Sequence, residues 1–134
     1  MAHVLIPTNS LFAFLAKSLA DDTPTGAYKY MALGTGTGQT AANDTLAAET
    51  AETNLARVEG TDTTLQTTVA NDTAQLTHAF TSAGNTVNIT EVGSFENATK
   101  DAGTMALYGT FATAIPIESG DKITPTLQCQ SKLD

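Results

Sequence analysis

A chain of 134 residues has the length of one domain and can bury a core without covalent staples. Its formal charge is −8, and its six lysines and arginines are scattered, which excludes nucleic-acid binding through phosphates, because counterion release needs clustered cations. A single cysteine, Cys129, excludes a disulfide within the chain and a cysteine-based zinc site, and the acidic excess suits solubility, at high salt or in general.

Residues 1–20 are strongly apolar. They lack a basic leader, and Pro7, Asn9, Ser10 and Lys17 interrupt what a signal or membrane segment keeps continuous, so the segment is read as part of the mature protein with no membrane partner. Val4-Leu5-Ile6 is a short apolar run stopped by Pro7. Asn9 or Ser10 is then placed to cap a helix over residues 11–20. At about 100° per residue, Leu11, Phe12, Phe14, Leu15 and Leu19 share one face, with Lys17 opposite. The segment 21–26 ends it. Five large apolar side chains on so short a helix require cover, either from the chain's own sheet or from a neighbouring subunit. The residues expected at an assembly interface are Val4, Leu5, Ile6, Leu11, Phe12, Phe14, Leu15 and Leu19.

Residues 28–33 read as a strand, followed by Gly34-Thr-Gly-Thr-Gly38 and a stretch of small residues to Ala48. Residues 49–59 hold a short helical turn or stay irregular. From Thr63 the period is two. Leu65, Thr67 and Val69 alternate, Asn71-Asp72 turns, and Ala74, Leu76, His78 and Phe80 share the next inner face. Val87 and Ile89 continue the alternation, whereas Val92 and Phe95 fall out of phase, which places a bulge near residues 91–93. A loop over 97–103 leads to Met105, Leu107, Gly109 and Phe111 on one face. The last strand turns Ile123, Pro125, Leu127 and Cys129 inward, and Pro125 sets it at an edge or at a non-bonded position. Threonine, close to a fifth of the residues, suits the exposed faces of strands. The expected fold is an all-β antiparallel sandwich, Ig-like or jelly-roll-like, with a short amphipathic N-terminal helix. Residues 1–25 form the apolar arm and helix, and 26–134 the sandwich.

The glycine run lacks the Lys-Ser/Thr pair and following helix of a phosphate loop, and is read as a tight turn leaving a strand. His3 and His78 are far apart, His78 sits between Leu76 and Phe80, and no nucleophile elbow occurs. Among Asp44, Glu49, Glu91 and Asp121 nothing nominates a catalytic pair. Asp21-Asp22, or Glu118 with Asp121, lack the alternating ligands of a calcium loop. The expectation is therefore no catalytic residue, no cofactor, no metal and no small-molecule ligand. Sequons begin at Asn43, Asn71, Asn88 and Asn97, and matter only on an exported surface.

Several elements share an order. The strand Tyr28-Lys-Tyr-Met-Ala-Leu33 runs into Gly34–Gly38, then Asp44-Thr-Leu46, Glu49 or Glu52, and Arg57. Later come Val87-Asn-Ile-Thr-Glu-Val-Gly-Ser-Phe95, Met105-Ala-Leu-Tyr-Gly-Thr-Phe111 and Ile117-Glu-Ser-Gly-Asp-Lys-Ile-Thr124. Over about residues 28–128 this resembles small β-sandwich structural proteins of tailed bacteriophages and tailed archaeal viruses, the group of capsid decoration, head-fibre and tail components. In that group the stretch matching Ile89–Phe95 marks a core strand. The longer Ala/Glu-rich segment between Leu46 and Arg57 and the N-terminal helix depart from its pattern.

The resemblance implies a virion structural protein without enzymatic activity, a capsid decoration or turret (cement) subunit that forms homo-oligomers on the particle. Its partners would be copies of itself and other virion proteins such as the major capsid protein. A tail or tail-fibre component is the alternative. A carbohydrate-binding module for host attachment is another, and needs exposed aromatic platforms, for which only Tyr28, Tyr30 and Tyr108 are available.

Overall fold

Strands form where the sequence alternates, and they pair antiparallel throughout. The computed structural model describes residues 3–20, 27–70 and 72–131. In chain order these hold β1 (His3–Pro7), α1 (Asn9–Leu19), β2 (Tyr30–Gly34), β3 (Val58–Glu59), β4 (Thr61–Leu65) and β5 (Thr73–Thr77). There follow β6 (Phe80–Thr81), β7 (Val87–Phe95), β8 (Met105–Ile117), β9 (Lys122–Ile123) and β10 (Thr126–Gln130). One sheet has the order β1-β8-β7-β2-β3, a second β10-β5-β4, and β6 pairs with β9 as a short ribbon. The fold is thus mostly β, with antiparallel sheets and one short helix. Among the described residues no helix is long and apolar enough to cross a membrane.

Apolar side chains from both sheets meet in one cluster. Met31 and Leu33 of β2, Ile89 and Val92 of β7, and Leu107 and Ile117 of β8 join Leu76 of β5, Phe80 of β6 and Leu127 of β10. Each large apolar side chain so buried contributes about 1.5–3 kcal/mol. Because successive strand residues face opposite ways, Ala32 points to the other side of the large sheet. There it joins Leu46, Phe95, Met105 and Tyr108, flanked by Ile6 and Tyr30. This second face is buried too, since Leu46 arrives on the segment between β2 and β3.

The phase change in β7 is present as two register shifts, between Ile89 and Glu91 and between Gly93 and Phe95, both against β8. The first keeps Ile89 and Val92 in the same cluster and turns Glu91 away. The second corrects the expected face of β8: Met105 packs with Phe95 and Tyr108, while Leu107 and Phe111 pack with the cluster between the sheets. The Leu107 N–H then donates to the Ser94 hydroxyl at 3.1 Å, which satisfies an amide that the shift leaves without a ladder partner.

Three further expectations need correction. The strand before Asp72 ends at Leu65, because residues 67–69 turn their amides onto the Asp72 carboxylate, and Val69 is 61% exposed. Ala74 is exposed rather than inner, although Leu76 and Phe80 are buried. His78 is half-buried, edge-on to Phe80 at 4.7 Å. Of residues 49–59, expected as a helical turn or irregular, the stretch to 57 is irregular with Leu55 buried between the sheets, whereas Val58–Glu59 pair with Tyr30 and Met31 as β3. Pro125 lies in the break between β9 and β10, and β10 is a sheet edge, where a missing N–H costs no ladder bond.

Candidate assembly surface

The strand β1 fixes where the helix starts. It pairs with β8 from His3↔Phe111 to Pro7↔Leu107, so Val4, Leu5 and Ile6 form an edge of the large sheet. Thr8 follows, fully buried. Its N–H donates to the Ala106 carbonyl at 2.9 Å, and its hydroxyl donates toward the carbonyls of Met105 and Ala106. The same oxygen accepts the Leu11 N–H at 3.3 Å, with extended backbone at φ −90° and ψ 165°. Thr8 is therefore the N-cap, and not Asn9 or Ser10. Those two instead tie the first helical turn to the segment after β2: the Asn9 N–H donates to the Ala41 carbonyl at 2.8 Å, and the Ser10 hydroxyl to Asp44 Oδ1 at 2.7 Å.

Held at that end, α1 buries none of its side chains completely. The single apolar face expected of it divides in two. Leu11 packs on the cluster between the sheets, and Phe14 meets Tyr28 edge-on at 5.3 Å. Tyr28 is itself fixed by a 3.0 Å hydrogen bond between its hydroxyl and that of Thr104. Phe12 and Leu19 turn outward, 55% and 91% exposed, and Leu15, 44% exposed, lies on the border between the two faces. Leu5 of β1 is 41% exposed, whereas Ile6 packs on the outer cluster beside Met105 and Tyr108. Beneath the helix lies a cavity of about 320 Å³, lined by Leu11, Phe14 and Leu15 from α1 and by Leu76, Leu107 and Leu127 from the sheets. A second, of about 270 Å³, opens beside Leu5 against Val92, Phe111 and Pro125, and Leu127 borders both. The helix is thus apolar on both sides, and its sole charged residue is Lys17.

The polar residues that organise this scaffold went unassigned in the sequence. Glu91 is fully buried on β7, and its Oε1 accepts the N–H groups of Gly36 (3.1 Å) and Ala48 (2.9 Å), while Oε2 accepts that of Ala47 (3.2 Å). This close approach explains Gly34, where a Cβ would stand 2.3 Å from Glu91 Oε1 and 2.8 Å from the Ala48 carbonyl oxygen. Beside Glu91 the buried Tyr108 hydroxyl has its pKa pushed up to about 12, first by burial and then by the carboxylate's charge. Arg57 and Glu49 form a second buried unit. Nε and Nη2 donate to the two carboxylate oxygens at 2.9 and 2.7 Å, and Nη1 donates to the carbonyls of Asn97 and Ala102. The guanidinium also lies 3.7 Å from the Phe95 ring centre. Asp72 closes a third. Burial pushes its carboxyl up, yet the N–H groups of Thr67, Val69 and Thr68, with the Gln130 amide, hold it well below the usual carboxylate range.

These bonds account for the acidic residues considered for chemistry. Asp44 anchors Ser10, Glu49 holds Arg57, Glu91 holds the glycine run, and Asp121 accepts the Glu118 N–H within its turn. Among the described residues no three His, Cys, Asp or Glu side chains converge as metal ligands. Asp21 and Asp22 lie outside the described residues, as does the sequon residue Asn71, while Asn43, Asn88 and Asn97 are exposed. The tyrosines do not form the platform a glycan site needs. Tyr108 is completely buried, Tyr28 is engaged by Phe14 and Thr104, and Tyr30 is half-buried with the Lys29 ammonium 5.5 Å from its ring centre.

No family model, no curated protein and no solved structure matches this chain.

Proposed function

We propose that this chain is a non-enzymatic structural subunit of a tailed-virus particle, a capsid decoration or turret protein that acts by assembly. One observation carries the reading: α1 is capped and tied at its first turn, yet holds Phe12, Leu15 and Leu19 out to water. Leaving three large apolar side chains exposed forgoes several kcal/mol that burial against a neighbour would recover. The two sheets with their shared core are read as a sandwich of Ig-like or jelly-roll-like type, a rigid body that presents this helix. Its partners are further copies of itself and other virion proteins, the major capsid protein foremost. The virion assignment draws on the sequence resemblance over about residues 28–128. It is supported by the use of Glu91, Arg57–Glu49 and Asp72 to fasten loops, as a subunit exposed on a particle requires.

The direct test is mass spectrometry on gradient-purified tailed particles from a culture that produces the chain. The tryptic peptide from Tyr30 to Arg57 should co-sediment with the particles at a copy number comparable to that of the shell protein. Its confinement to particle-free fractions would remove the proposal, and its recovery with isolated tails would move the subunit from head to tail.

A further inference from the structure

The outward stripe of α1 is complementary to itself. Its large residues recur at intervals of three and four, Phe12, Leu15 and Leu19, with Ala16 between them, the spacing of a two-helix seam. A two-fold axis beside the helix, level with the gap between Leu15 and Ala16, sets Phe12 against Leu19 of a second copy and Leu15 against its Ala16. Large meets small at the centre, so the two stripes interdigitate. Charge favours the same occupant. At about 100° per residue, Lys17 falls on the side of the helix away from the stripe, and α1 carries no carboxylate, in a chain whose net charge is −8. Two copies repel one another over most other approaches, whereas this face offers an uncharged strip. The bonds made by Thr8, Asn9 and Ser10 hold the first turn, so the helix is presented in one orientation.

We propose that α1 packs antiparallel against α1 of a second copy of this chain, through Phe12, Leu15, Ala16 and Leu19. This rests on the reading that the chain works by assembly, and it names the partner of that surface. Helix axes about 8–10 Å apart, with Cα atoms about 2.3 Å off each axis, bring facing Cα atoms within disulfide range.

The test is cysteine cross-linking of the full chain in a Cys129→Ala background, at micromolar protein under mild oxidation. Ala16→Cys, next to the axis, should form a covalent dimer on the order of a hundredfold faster than Lys17→Cys, since pairing raises the local thiol concentration toward millimolar. Equal rates for the two variants, or no dimer from Ala16→Cys and a monomer by sedimentation, would overturn the pair. If that monomeric chain still needs Phe12, Leu15 and Leu19 to bind particles, the stripe docks on another virion protein: the pair falls and the assembly reading stands.

Discussion

Replacing Arg57 by methionine isolates the buried ion pair that locks the β2–β3 segment onto the large sheet. The two side chains are 1% and 0% exposed. Besides its two bonds to Glu49, Arg57 donates to Asn97 and Ala102 at 2.9 and 2.8 Å and covers the Phe95 ring. In the variant Glu49 keeps the Asp101 N–H at 3.1 Å but loses its countercharge, and two carbonyls lose their donor. Breaking one side of such a pair costs about 3–5 kcal/mol, a large part of the roughly 5–15 kcal/mol of a typical domain. The melting temperature should fall by roughly 10–20 °C. Urea denaturation followed by circular dichroism measures this as a lower midpoint with an unchanged slope. The double variant Glu49→Leu/Arg57→Met removes both charges and should recover at least half of the loss. A cost below about 1 kcal/mol for Arg57→Met, the value of an exposed pair, would refute the buried-pair reasoning.

Three other outcomes follow from the same geometry. Glu91→Gln keeps one acceptor oxygen but turns an amide NH₂ toward the donors at the other and should cost about 1–3 kcal/mol, with hydrogen-exchange protection lost either at Ala47 or at Gly36 and Ala48; unchanged protection at all three would contradict the role given to Glu91. Thr8→Ala should cost about 1–2 kcal/mol through the lost cap and bring α1 amides to faster exchange than β7 amides, an effect that uniform exchange would exclude. Asp72 is held below the usual carboxylate range in the fold, so the unfolded chain takes up its proton first as pH falls. Its contribution is therefore complete above about pH 4 and is lost on acidification through the lower folded value. Asp72→Asn should flatten stability against pH over that window, and an unchanged profile would show that other carboxylates control it.

Most strands were legible because alternation is local, but the two-residue β3 and the end of β4 at Leu65 were not. The irregularity in β7 was legible too, since Ile89, Val92 and Phe95 cannot all satisfy a period of two. Pro125 set the last strand at an edge or the proline at a non-bonded position, and both hold: β10 is an edge and Pro125 lies in the break before it. The cap was not legible: Thr8, Asn9 and Ser10 are all competent, and the choice follows from the register of β1 on β8, which places Thr8 against Met105 and Ala106. The polar fastenings were hidden for the same reason. Glu91 reaches residues 36, 47 and 48, and Arg57 reaches 49, 97 and 102, separations that periodicity does not register. One signal was available, an isolated glutamate within the otherwise apolar and small run Ile89–Phe95, because a charge in a core strand needs a buried partner. The helix was read correctly as an element, but its five apolar residues serve two faces, and only the position of the sheets separates Leu11 and Phe14 from Phe12, Leu15 and Leu19.

The claim that this chain assembles through the outward stripe of α1 is tested most directly by one binding measurement. Full-length Phe12→Ser/Leu15→Ser/Leu19→Ser would be compared with the unaltered chain for co-sedimentation with particles stripped of this subunit. All three positions are 44–91% exposed, so each change should alter stability by no more than about 0.5 kcal/mol. The account predicts a folded variant that no longer co-sediments; a folded variant that binds like the unaltered chain would contradict it.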